Sequence, residues 1–440
     1  MEKKKYSRRD FIKKSSGAVA GIFVAPHILP SNILGKNGFI SPSNKITIGF
    51  IGTGWMGTAN LDTFLKEEQA KVVALCDLDS NHLLEAKNRV DKKYGNNDCQ
   101  TYSNFRDVLN RDDIDAVVIS TPDHWHAIPA IEAAKAGKDI YCEKPLSHSL
   151  NEGIAICGAV SRYGRIWQTG SWQRSVSNFR FACEIVRNGK IGKIHTVEVG
   201  LPKGHADFGG TKGQEEPTKP PLHLDYNTWL GPAPYAPYAP ARVHKNWRWN
   251  LDYGGGQLMD WVGHHVDIAH WGLDLDNTGP AEIEGKGEYP STGLWNAATK
   301  YLVKTKYTNG IEMIIAGGHP EICGGRSGTR WIGEEGWVHV DRGFIDANPK
   351  SLLKEYFGPN DITLYKSPGH ARNFLDCIKS RRKTLTPAEV AHRSASPGHL
   401  GQISMLLERK IKFNPTTQKI VDDEVASSML QRSYRSPWHL

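Results

Sequence analysis

The chain has 440 residues, of which 39% are hydrophobic and 23% are charged, and this composition suits two globular domains with proper cores. The formal net charge of +8 is uneven, because residues 1–14 hold seven basic and two acidic residues, a net +5 that leaves +3 for the remainder. So weak a charge excludes nucleic acid as the leading partner. Seven scattered cysteines without a C-x-x-C pair indicate neither a disulfide framework nor a zinc knuckle.

The basic N-terminus runs into the apolar stretch SSGAVAGIFVAPHILPSN, which is typical of an export signal and too short for a good spanning helix. Before it, SRRDFIK (residues 7–13) resembles the twin-arginine consensus. We predict that residues 1–32 direct export to the periplasm by that route; a basic disordered tail is the alternative. No clean cleavage site follows, so the signal could remain attached as an uncleaved membrane anchor. Apart from that anchor, we predict no stable membrane insertion.

Residues 44–165 alternate short apolar strands with helices. The predicted strands are KITIGFIG (45–52), KVVALCD (71–77), DAVVIST (115–121) and KDIYCEK (138–144). Fully apolar runs are typical of strands buried on both faces of a parallel sheet. We therefore predict an α/β fold whose first domain is a Rossmann-type, doubly wound parallel sheet.

The pattern changes after about residue 190. KIHTVEVG (193–200) and TRWIGEEGWVHVDRG (329–343) show strand alternation, with Gly-containing turns and no long helices between strands. This predicts a second α/β domain over residues 166–415 with an open, mostly antiparallel sheet, and a tail over residues 416–440. A Pro- and Tyr-rich loop over residues 229–249 is unusually long, which favours a functional role.

Gly52, Gly54 and Gly57 form a G-x-G-x-x-G motif between the first strand and the first helix. Asp77 follows at the end of the second strand, which is the context that a dinucleotide site requires. The helix N-terminus offers N–H groups to the pyrophosphate, and Asp77 accepts hydrogen bonds from the adenosine ribose. A carboxylate there repels a 2′-phosphate, so we predict NAD rather than NADP. A glycine turn that binds nothing is the alternative.

The next two strands end in polar residues at the same edge of the sheet, where ligands of doubly wound folds bind. Thr121, Pro122 and His126 are predicted to line the nicotinamide half of the site. Lys144 is predicted to lie near the reacting hydroxyl, where a cation stabilises a developing alkoxide. Pro145 is a candidate for a cis peptide that aims Lys144 inward. Taken alone, E-K-P suits a surface turn equally well.

GFIGTGWMG, CDLD, STPDHWH and CEKP together resemble the Gfo/Idh/MocA oxidoreductases, a family that includes glucose–fructose oxidoreductase and inositol dehydrogenase. The resemblance covers nearly the whole chain after residue 44. It implies a Rossmann domain followed by an α/β domain, and assembly as a homodimer or homotetramer. The predicted cofactor-binding residues are Gly52, Thr53, Gly54, Trp55, Met56, Gly57, Asp77, Thr121, Pro122, His126, Glu143 and Lys144.

The segment DWVGHHVDIAHW carries the family's other hallmark, an Asp and a His four residues apart. In an α-helix this spacing puts Asp260 and His264 on one face. By the resemblance, His264 is the general base, Asp260 orients it or contacts the substrate, and Lys144 polarises the same oxygen. We predict no metal site, because adjacent histidines such as His264 and His265 diverge by about 100° around a helix.

Polar and aromatic residues outside the motifs supply candidate substrate contacts. Gln173 and Arg174 follow the strand after Lys144, and forked donors there suit hydroxyls or a carboxylate. Arg242 and Trp247 lie in the long loop, where an aromatic ring beside a guanidinium suits a sugar. The alternatives are a surface helix start for Arg174 and an oligomer arm for the loop.

The sequence thus predicts an NAD-dependent oxidoreductase that acts on a ring hydroxyl of a sugar or glycoside, C3 being one candidate, with tightly bound cofactor. Export in the folded state would carry the cofactor along, since free NAD is scarce outside the cytoplasm. A first alternative is an NAD-dependent glycosidase of the N-acetylgalactosaminidase kind, which works by transient oxidation and elimination, although those relatives lack this form of the DWVGHHVDIAHW segment. A second alternative is a non-catalytic sugar- or NAD-binding protein.

Overall fold

Six parallel strands form the sheet of the first domain in the computed structural model, which describes Ser41 and residues 44–440. Their order is β3-β2-β1-β4-β5-β6, which confirms the doubly wound prediction. The sixth strand lies beyond the predicted domain boundary at residue 165. The strands are β1 (Ile46–Ile51), β2 (Ala70–Cys76), β3 (Gln100–Tyr102), β4 (Ala116–Ile119), β5 (Asp139–Cys142) and β6 (Trp167–Thr169).

Helices cover both faces of this sheet, and side-chain caps begin several of them. Asp79 caps the second helix by accepting from the backbone N–H groups of Asn81 and His82. Ser149 and Glu152 form a capping box at the start of the fifth. The helices are α1 (Trp55–Phe64), α2 (Ser80–Tyr94), α3 (Phe105–Leu109), α4 (Ala127–Lys135) and α5 (Leu150–Arg162).

The second domain is built on a nine-stranded sheet with the order β13-β12-β11-β7-β10-β9-β8-β14-β15. Within this second sheet, β7 and β10 are the only described strands that pair in parallel. The sheet is therefore mixed and mostly antiparallel, as predicted. The strands are β7 (Ile194–Leu201), β8 (Glu282–Glu288), β9 (Lys300–Lys306), β10 (Glu312–Gly317), β11 (Gly328–Gly333), β12 (Gly336–Asp341), β13 (Phe344–Asn348), β14 (Ile411–Asn414) and β15 (Lys419–Ile420).

Helices of the second half pack on one face of this sheet, and one of them returns to the first domain. Phe374 of α10 stacks edge-on against Phe64 and Tyr141 in the core beside the parallel sheet. The helices are α6 (Ser177–Arg187), α7 (Tyr226–Leu230), α8 (Gly256–Trp261), α9 (Asp267–Leu273), α10 (His370–Ser380), α11 (Ala388–Leu407) and α12 (Glu424–Ser428).

Residues 205–255, here the bridging segment, connect β7 to α8 and carry a small apolar core of their own, with Trp229, Tyr238 and Trp247. The backbone of this segment bonds to the end of β2, where Ser80 N–H donates to His223 O at 2.9 Å and Asp225 N–H donates to Leu78 O at 3.0 Å. The segment therefore lies against the edge of the parallel sheet where cofactors bind.

The residues after α12 return to the first domain, where Trp438 packs edge-on against Trp125 with ring centroids 4.7 Å apart. The predicted tail of residues 416–440 is therefore a folded part of the molecule rather than an extension. No helix in the described part of the chain has the length and apolarity needed to cross a bilayer. The predicted export signal, residues 1–32, lies outside the described residues.

Candidate cofactor and active site

The glycine turn after β1 has the shape that a dinucleotide phosphate needs. Gly52 has φ +87°, a left-handed conformation, and an added Cβ would lie 2.8 Å from the backbone of Ser120. An added Cβ on Gly57 would lie 2.2 Å from Gly52 O, so only glycine lets α1 pack this closely on the strand. The first glycine therefore allows the tight turn, and the third allows the close packing of helix on strand.

Asp77 stands at the end of β2 with its carboxylate held by the turn. Its Oδ2 accepts from Thr53 N–H at 2.6 Å and from the Thr53 hydroxyl at 3.1 Å, and its Oδ1 accepts from Asp79 N–H at 2.8 Å. These bonds fix the carboxylate at the adenosine end of the site. Thr53, predicted to bind the cofactor, is buried, does not line the cavity described below, and donates to Asp77.

A cavity of about 420 Å³ runs from Asp77 along the carboxyl ends of the strands to Lys144. That volume falls in the usual range for a small-molecule site. Its walls come from the parallel sheet, the bridging segment and Trp438. The hydroxyl of Thr121 is buried there without a partner among the described residues, as expected where a ligand bonds it. The predicted cofactor residues that line it are Gly52, Gly54, Trp55, Met56, Asp77, Thr121, Pro122, Glu143 and Lys144.

Lys144, at the inner end of the cavity, meets the second domain. Its Nζ donates to Asp260 O at 2.7 Å and to Asp260 Oδ1 at 2.9 Å, and Arg248 Nε donates to the same Oδ1 at 3.1 Å. Burial opposes ionisation of Asp260, but Lys144 and Arg248 outweigh it and hold the pKa of this carboxyl well below its ordinary value. The Lys144–Pro145 peptide is cis, as predicted.

Glu143 is buried beside this cluster rather than exposed in a turn. Its Oε1 accepts from Asn60 Nδ2 at 2.9 Å, and its Oε2 accepts from Lys144 N–H at 3.3 Å. Burial raises the pKa of Glu143, with Lys144 and Asn60 opposing the shift. The segment E-K-P therefore turns inward, and the surface-turn alternative is excluded.

His264 lies on a π-helical turn, Val262–Val266, that interrupts the helix after α8. Asp260 and His264 interact electrostatically across the start of this turn, so the predicted pair is close in space although the turn is not α-helical. An added Cβ on Gly263 would lie 2.8 Å from Lys144 Cβ, so the π-turn sits directly against Lys144. Asp260 and His264 do not line the cavity themselves; they stand behind Lys144 and Arg248.

The His264 ring is buried between Trp172 and Trp261, at centroid distances of 6.2 Å and 5.6 Å. Its Nδ1 has no hydrogen-bond partner among the described residues. Burial, and then the positive charges of Lys144 and Arg342, hold the pKa of His264 well below its ordinary value. The imidazole is therefore neutral at pH 7 and can accept a proton.

Arg342 was not predicted as a site residue. Its guanidinium stacks 4.7 Å from the ring centroids of both Trp172 and Trp261, the two rings that flank His264. It makes no side-chain hydrogen bond within the described part of the chain. No sequence signal marks it, because it lies in the turn between β12 and β13, far from every motif.

Asp123 was also missed, although it lies in the quoted STPDHWH segment. Its buried carboxyl lines the cavity near Lys144 and Arg248. Burial raises the pKa of Asp123 well above its ordinary value, with Arg248 and Lys144 opposing the shift. The only sequence signal for Asp123 is its position shortly after the apolar strand β4, where ligand-binding residues of a parallel sheet lie.

Two predicted substrate residues are placed elsewhere by the structure. Arg174 is only 2% exposed, and its guanidinium binds the carboxylates of Asp267 and Asp276 with N–O distances between 2.7 and 2.9 Å. Gln173 is fully buried and its amide lies 3.4 Å from the His265 ring. Both predictions are corrected, because these side chains join β6 to the helices after it instead of facing the cavity.

His126 and Arg242 also do not line the cavity. His126 is buried, with its ring nitrogens 2.8 Å from Pro145 O and 3.0 Å from Thr121 O, so it positions the Lys144 turn rather than contacting the cofactor. Arg242 donates to Pro237 O at 3.0 Å and to the Tyr253 hydroxyl at 3.3 Å. Trp247, the other substrate residue predicted in the loop, does line the cavity.

Two family sequence models match this chain, the NAD-binding Rossmann fold of the Gfo/Idh/MocA oxidoreductase family over residues 46–171 and the family's C-terminal alpha/beta domain over residues 176–440. The chain belongs to the Gfo/Idh/MocA oxidoreductase family. Its first domain is an NAD-binding domain, and the glycine turn, Asp77 and the cavity fit that cofactor.

Similar proteins include relatives with and without an assigned activity. The uncharacterized oxidoreductase YrbE of Bacillus subtilis is 32% identical over 68% of this chain and 74% of its own. An alpha-N-acetylgalactosaminidase of Shewanella oneidensis is 32% identical over 35% of this chain and 37% of its own. The WlbA dehydrogenase of Bordetella pertussis, solved with NADH and UDP-GlcNAcA, has the same fold (TM-score 0.63, 18% identity, 84% of this chain and 99% of that chain).

Proposed function

We propose that this protein oxidises a ring hydroxyl of a sugar or glycoside, C3 being one candidate, with an NAD that stays bound between turnovers. The observation that supports this most is the junction of the two domains, where Lys144 is bonded to Asp260 beside a neutral, buried His264. A cation and a neutral base next to each other suit the removal of a proton from an alcohol.

The roles of the three residues follow from their charges. Bound NAD supplies the hydride acceptor. His264 takes the hydroxyl proton, because its imidazole is neutral at pH 7. Lys144 stabilises the negative charge that develops on the oxygen, and Asp260 fixes the direction of the ammonium. Arg342 and the rings of Trp172 and Trp261 offer stacking faces and donors beside His264, which suit a sugar.

An exported enzyme that depends on NAD would need to retain its cofactor, and two features support this proposal. The cavity is walled by three separate parts of the chain, and the N-terminal sequence resembles a twin-arginine signal. An enzyme that carries its NAD out of the cytoplasm must reset it within each cycle or with a second substrate. We therefore propose export to the periplasm in the folded, loaded state, and fractionation of cells that express the full chain tests it.

Mass spectrometry of the purified, denatured protein tests cofactor retention. We expect NAD in stoichiometric amount without any added cofactor. Incubation of the same preparation with a panel of glycosides should then yield a keto-sugar. Protein purified with an empty site would overturn the closed redox cycle, and a loaded protein that yields no keto-sugar from any glycoside would overturn the reaction.

A second candidate function is glycoside hydrolysis, favoured by the similarity to the Shewanella alpha-N-acetylgalactosaminidase. A ketone at C3 acidifies the proton on C2, so elimination, water addition and re-reduction can follow oxidation at the same site. Release of free sugar from an aryl glycoside without added cofactor would favour the hydrolase. Accumulation of a keto-sugar would favour the oxidoreductase.

Assembly is a further part of the proposal. The family membership supports a homodimer or homotetramer, and the antiparallel sheet of the second domain is a candidate interface. Light scattering after size-exclusion chromatography gives the mass of the particle, and a monomer at micromolar concentration would overturn the expectation.

A further inference from the structure

Three side chains with metal-binding atoms, those of Asp79, His82 and His244, meet at the outer end of the cofactor cavity, and His223 lies beside Asp79. Asp79 belongs to the turn after β2, His82 to the first turn of α2, and His223 and His244 to the bridging segment. Asp79 Oδ2 lies 3.6 Å from Nε2 of His223 and 3.6 Å from Nε2 of His244. The ligand atoms of Asp79, His82 and His244 all lie within 4.8 Å of one another.

The backbone holds these side chains in place from both sides. The two oxygens of the Asp79 carboxylate have different partners. Oδ1 accepts from the N–H groups of Asn81 and His82, and Oδ2 lies near the rings of His223 and His244. Ser80 N–H donates to His223 O at 2.9 Å, and Asp79 forms a β-bridge with Leu224. The cluster is therefore built by main-chain pairing between the first domain and the bridging segment.

The spacing fits a tetrahedral ion better than a set of ion pairs. Zinc–nitrogen and zinc–oxygen bonds of about 2.0–2.1 Å place tetrahedral ligand atoms about 3.4 Å apart, close to the separations seen here. A hydrogen bond between Asp79 and either histidine would be shorter. The His82 and His244 ring centroids are only 4.9 Å apart, so their nitrogens can reach one ion.

We propose that Asp79, His82 and His244 bind a Zn²⁺ ion as its three protein ligands. Imidazole nitrogen and carboxylate oxygen are ligands that Zn²⁺ accepts. Asp79 is 3% exposed, so its carboxylate is shielded from water. No motif marks this site, because its ligands come from distant parts of the sequence.

The ion would tie the bridging segment to the first domain at the adenosine end of the cavity, where His82 and His244 are both lining residues. This cross-link would narrow the exit for a bound dinucleotide. The inference rests on the cluster alone and does not depend on which substrate the enzyme oxidises.

Metal analysis of the full chain, prepared without a polyhistidine tag, tests the proposal. The protein is treated with dipicolinate, transferred to chelator-free buffer and titrated with ZnCl₂ in a calorimeter. We expect one equivalent of Zn²⁺ to bind. Asp79→Asn, His82→Ala and His244→Ala should each raise the dissociation constant about 100-fold or more, since changes even outside the ligand shell cost about 10–100-fold.

Two of the ligand variants are expected to keep the fold, so a loss of Zn²⁺ binding by them can be assigned to the missing ligand. Asp79→Asn keeps the cap oxygen of α2, and His82 makes no side-chain hydrogen bond among the described residues, so both variants should fold. His195→Ala, on an exposed strand residue, is the matched control and should bind Zn²⁺ as the unaltered protein does. No Zn²⁺ binding by the unaltered chain, or equal binding by the His82→Ala and His244→Ala variants, would overturn the proposal.

Discussion

At the scale of single residues, Lys144 depends on a partner from the other domain. Its ammonium is held by both the carbonyl and the carboxylate of Asp260. A lysine side chain has four rotatable bonds, so two fixed acceptors remove most of its freedom before a substrate arrives. The position of the charge is therefore set by the junction between the domains and not by the strand that carries it.

Replacement of Lys144 tests this role directly. We expect Lys144→Met to lower kcat about 100- to 1,000-fold, the usual cost of removing one preorganised donor at a developing oxyanion. Steady-state kinetics with the glycoside that the panel identifies would measure it. The exposed Lys203→Met is the matched control and should keep full activity. A Lys144→Met enzyme with kcat within threefold of the unaltered enzyme would refute the assignment.

Arg342 allows a test of the base through its pKa. Burial, Lys144 and Arg342 together lower the pKa of His264, so the acid limb of kcat/KM should lie below the ordinary histidine range. Arg342→Gln removes one of the opposing charges, which raises the pKa of His264 and moves the acid limb to higher pH. The pH–rate profile of both enzymes checks the sign. A limb that stays in place would exclude His264 as the titrating base.

Residues next to strand ends could be predicted, as could Asp260 and His264 by the family resemblance, but Arg342 could not. Gly52, Asp77 and Lys144 each follow an apolar run, and the parallel sheet brings such positions to one edge. Arg248 and Arg342 reach the site only through tertiary folding, with no local pattern to mark them. Arg174 shows the opposite error, since its sequence neighbours suggested a pocket while its charge is used in a buried ion pair.

At the scale of elements, the π-turn at Val262–Val266 is a feature that the sequence did not predict. An α-helix keeps 3.6 residues per turn, whereas a π-turn makes wider i→i+5 hydrogen bonds. The spacing of Asp260 and His264 predicted a pair of side chains, but periodicity in the sequence cannot reveal a local change of helix pitch. Lys144, packed against Gly263, occupies the space that this turn provides.

The buried ion pair of Arg174 with Asp267 and Asp276 joins the turn after β6 to α9, and it gives a stability prediction. Asp267→Asn leaves part of a buried guanidinium charge uncompensated, so the free energy of unfolding should fall by about 3–5 kcal/mol. Urea denaturation followed by tryptophan fluorescence measures the change. The pair of Arg187 with Asp274 supplies the control, because the Asp274 carboxylate is 71% exposed and Asp274→Asn should cost at most about 1 kcal/mol. Equal effects of the two substitutions would contradict the burial argument.

At the scale of the whole molecule, the C-terminal residues complete the first domain. Arg432 Nε donates to the buried carboxylate of Glu152 at 2.7 Å, and Arg432 Nη2 donates to His124 O at 2.6 Å. Glu152 also anchors the start of α5 through its capping box. One buried carboxylate therefore links a helix of the parallel sheet to a segment that is almost at the opposite end of the chain.

Loss of this link should loosen the cavity wall. We expect Arg432→Met to speed proteolytic removal of the segment that holds Trp438 and to weaken NADH binding, because Trp438 lines the cavity. Limited proteolysis with mass detection and NADH fluorescence titration measure the two effects. Arg409→Met breaks only an exposed pair with Asp423 and should change neither. Unaltered proteolysis of the Arg432→Met protein would contradict the proposed linkage.

The position of Trp438 also bears on when the cofactor can enter. A nascent chain emerges from the ribosome with its N-terminus first, so the strands of the parallel sheet emerge long before Trp438 is synthesised. A nascent first domain therefore has its glycine turn but lacks both the bridging segment and the indole that finish the pocket. Loading with NAD should accordingly follow translation, so the finished polypeptide, and not a growing one, is the form that acquires its redox partner.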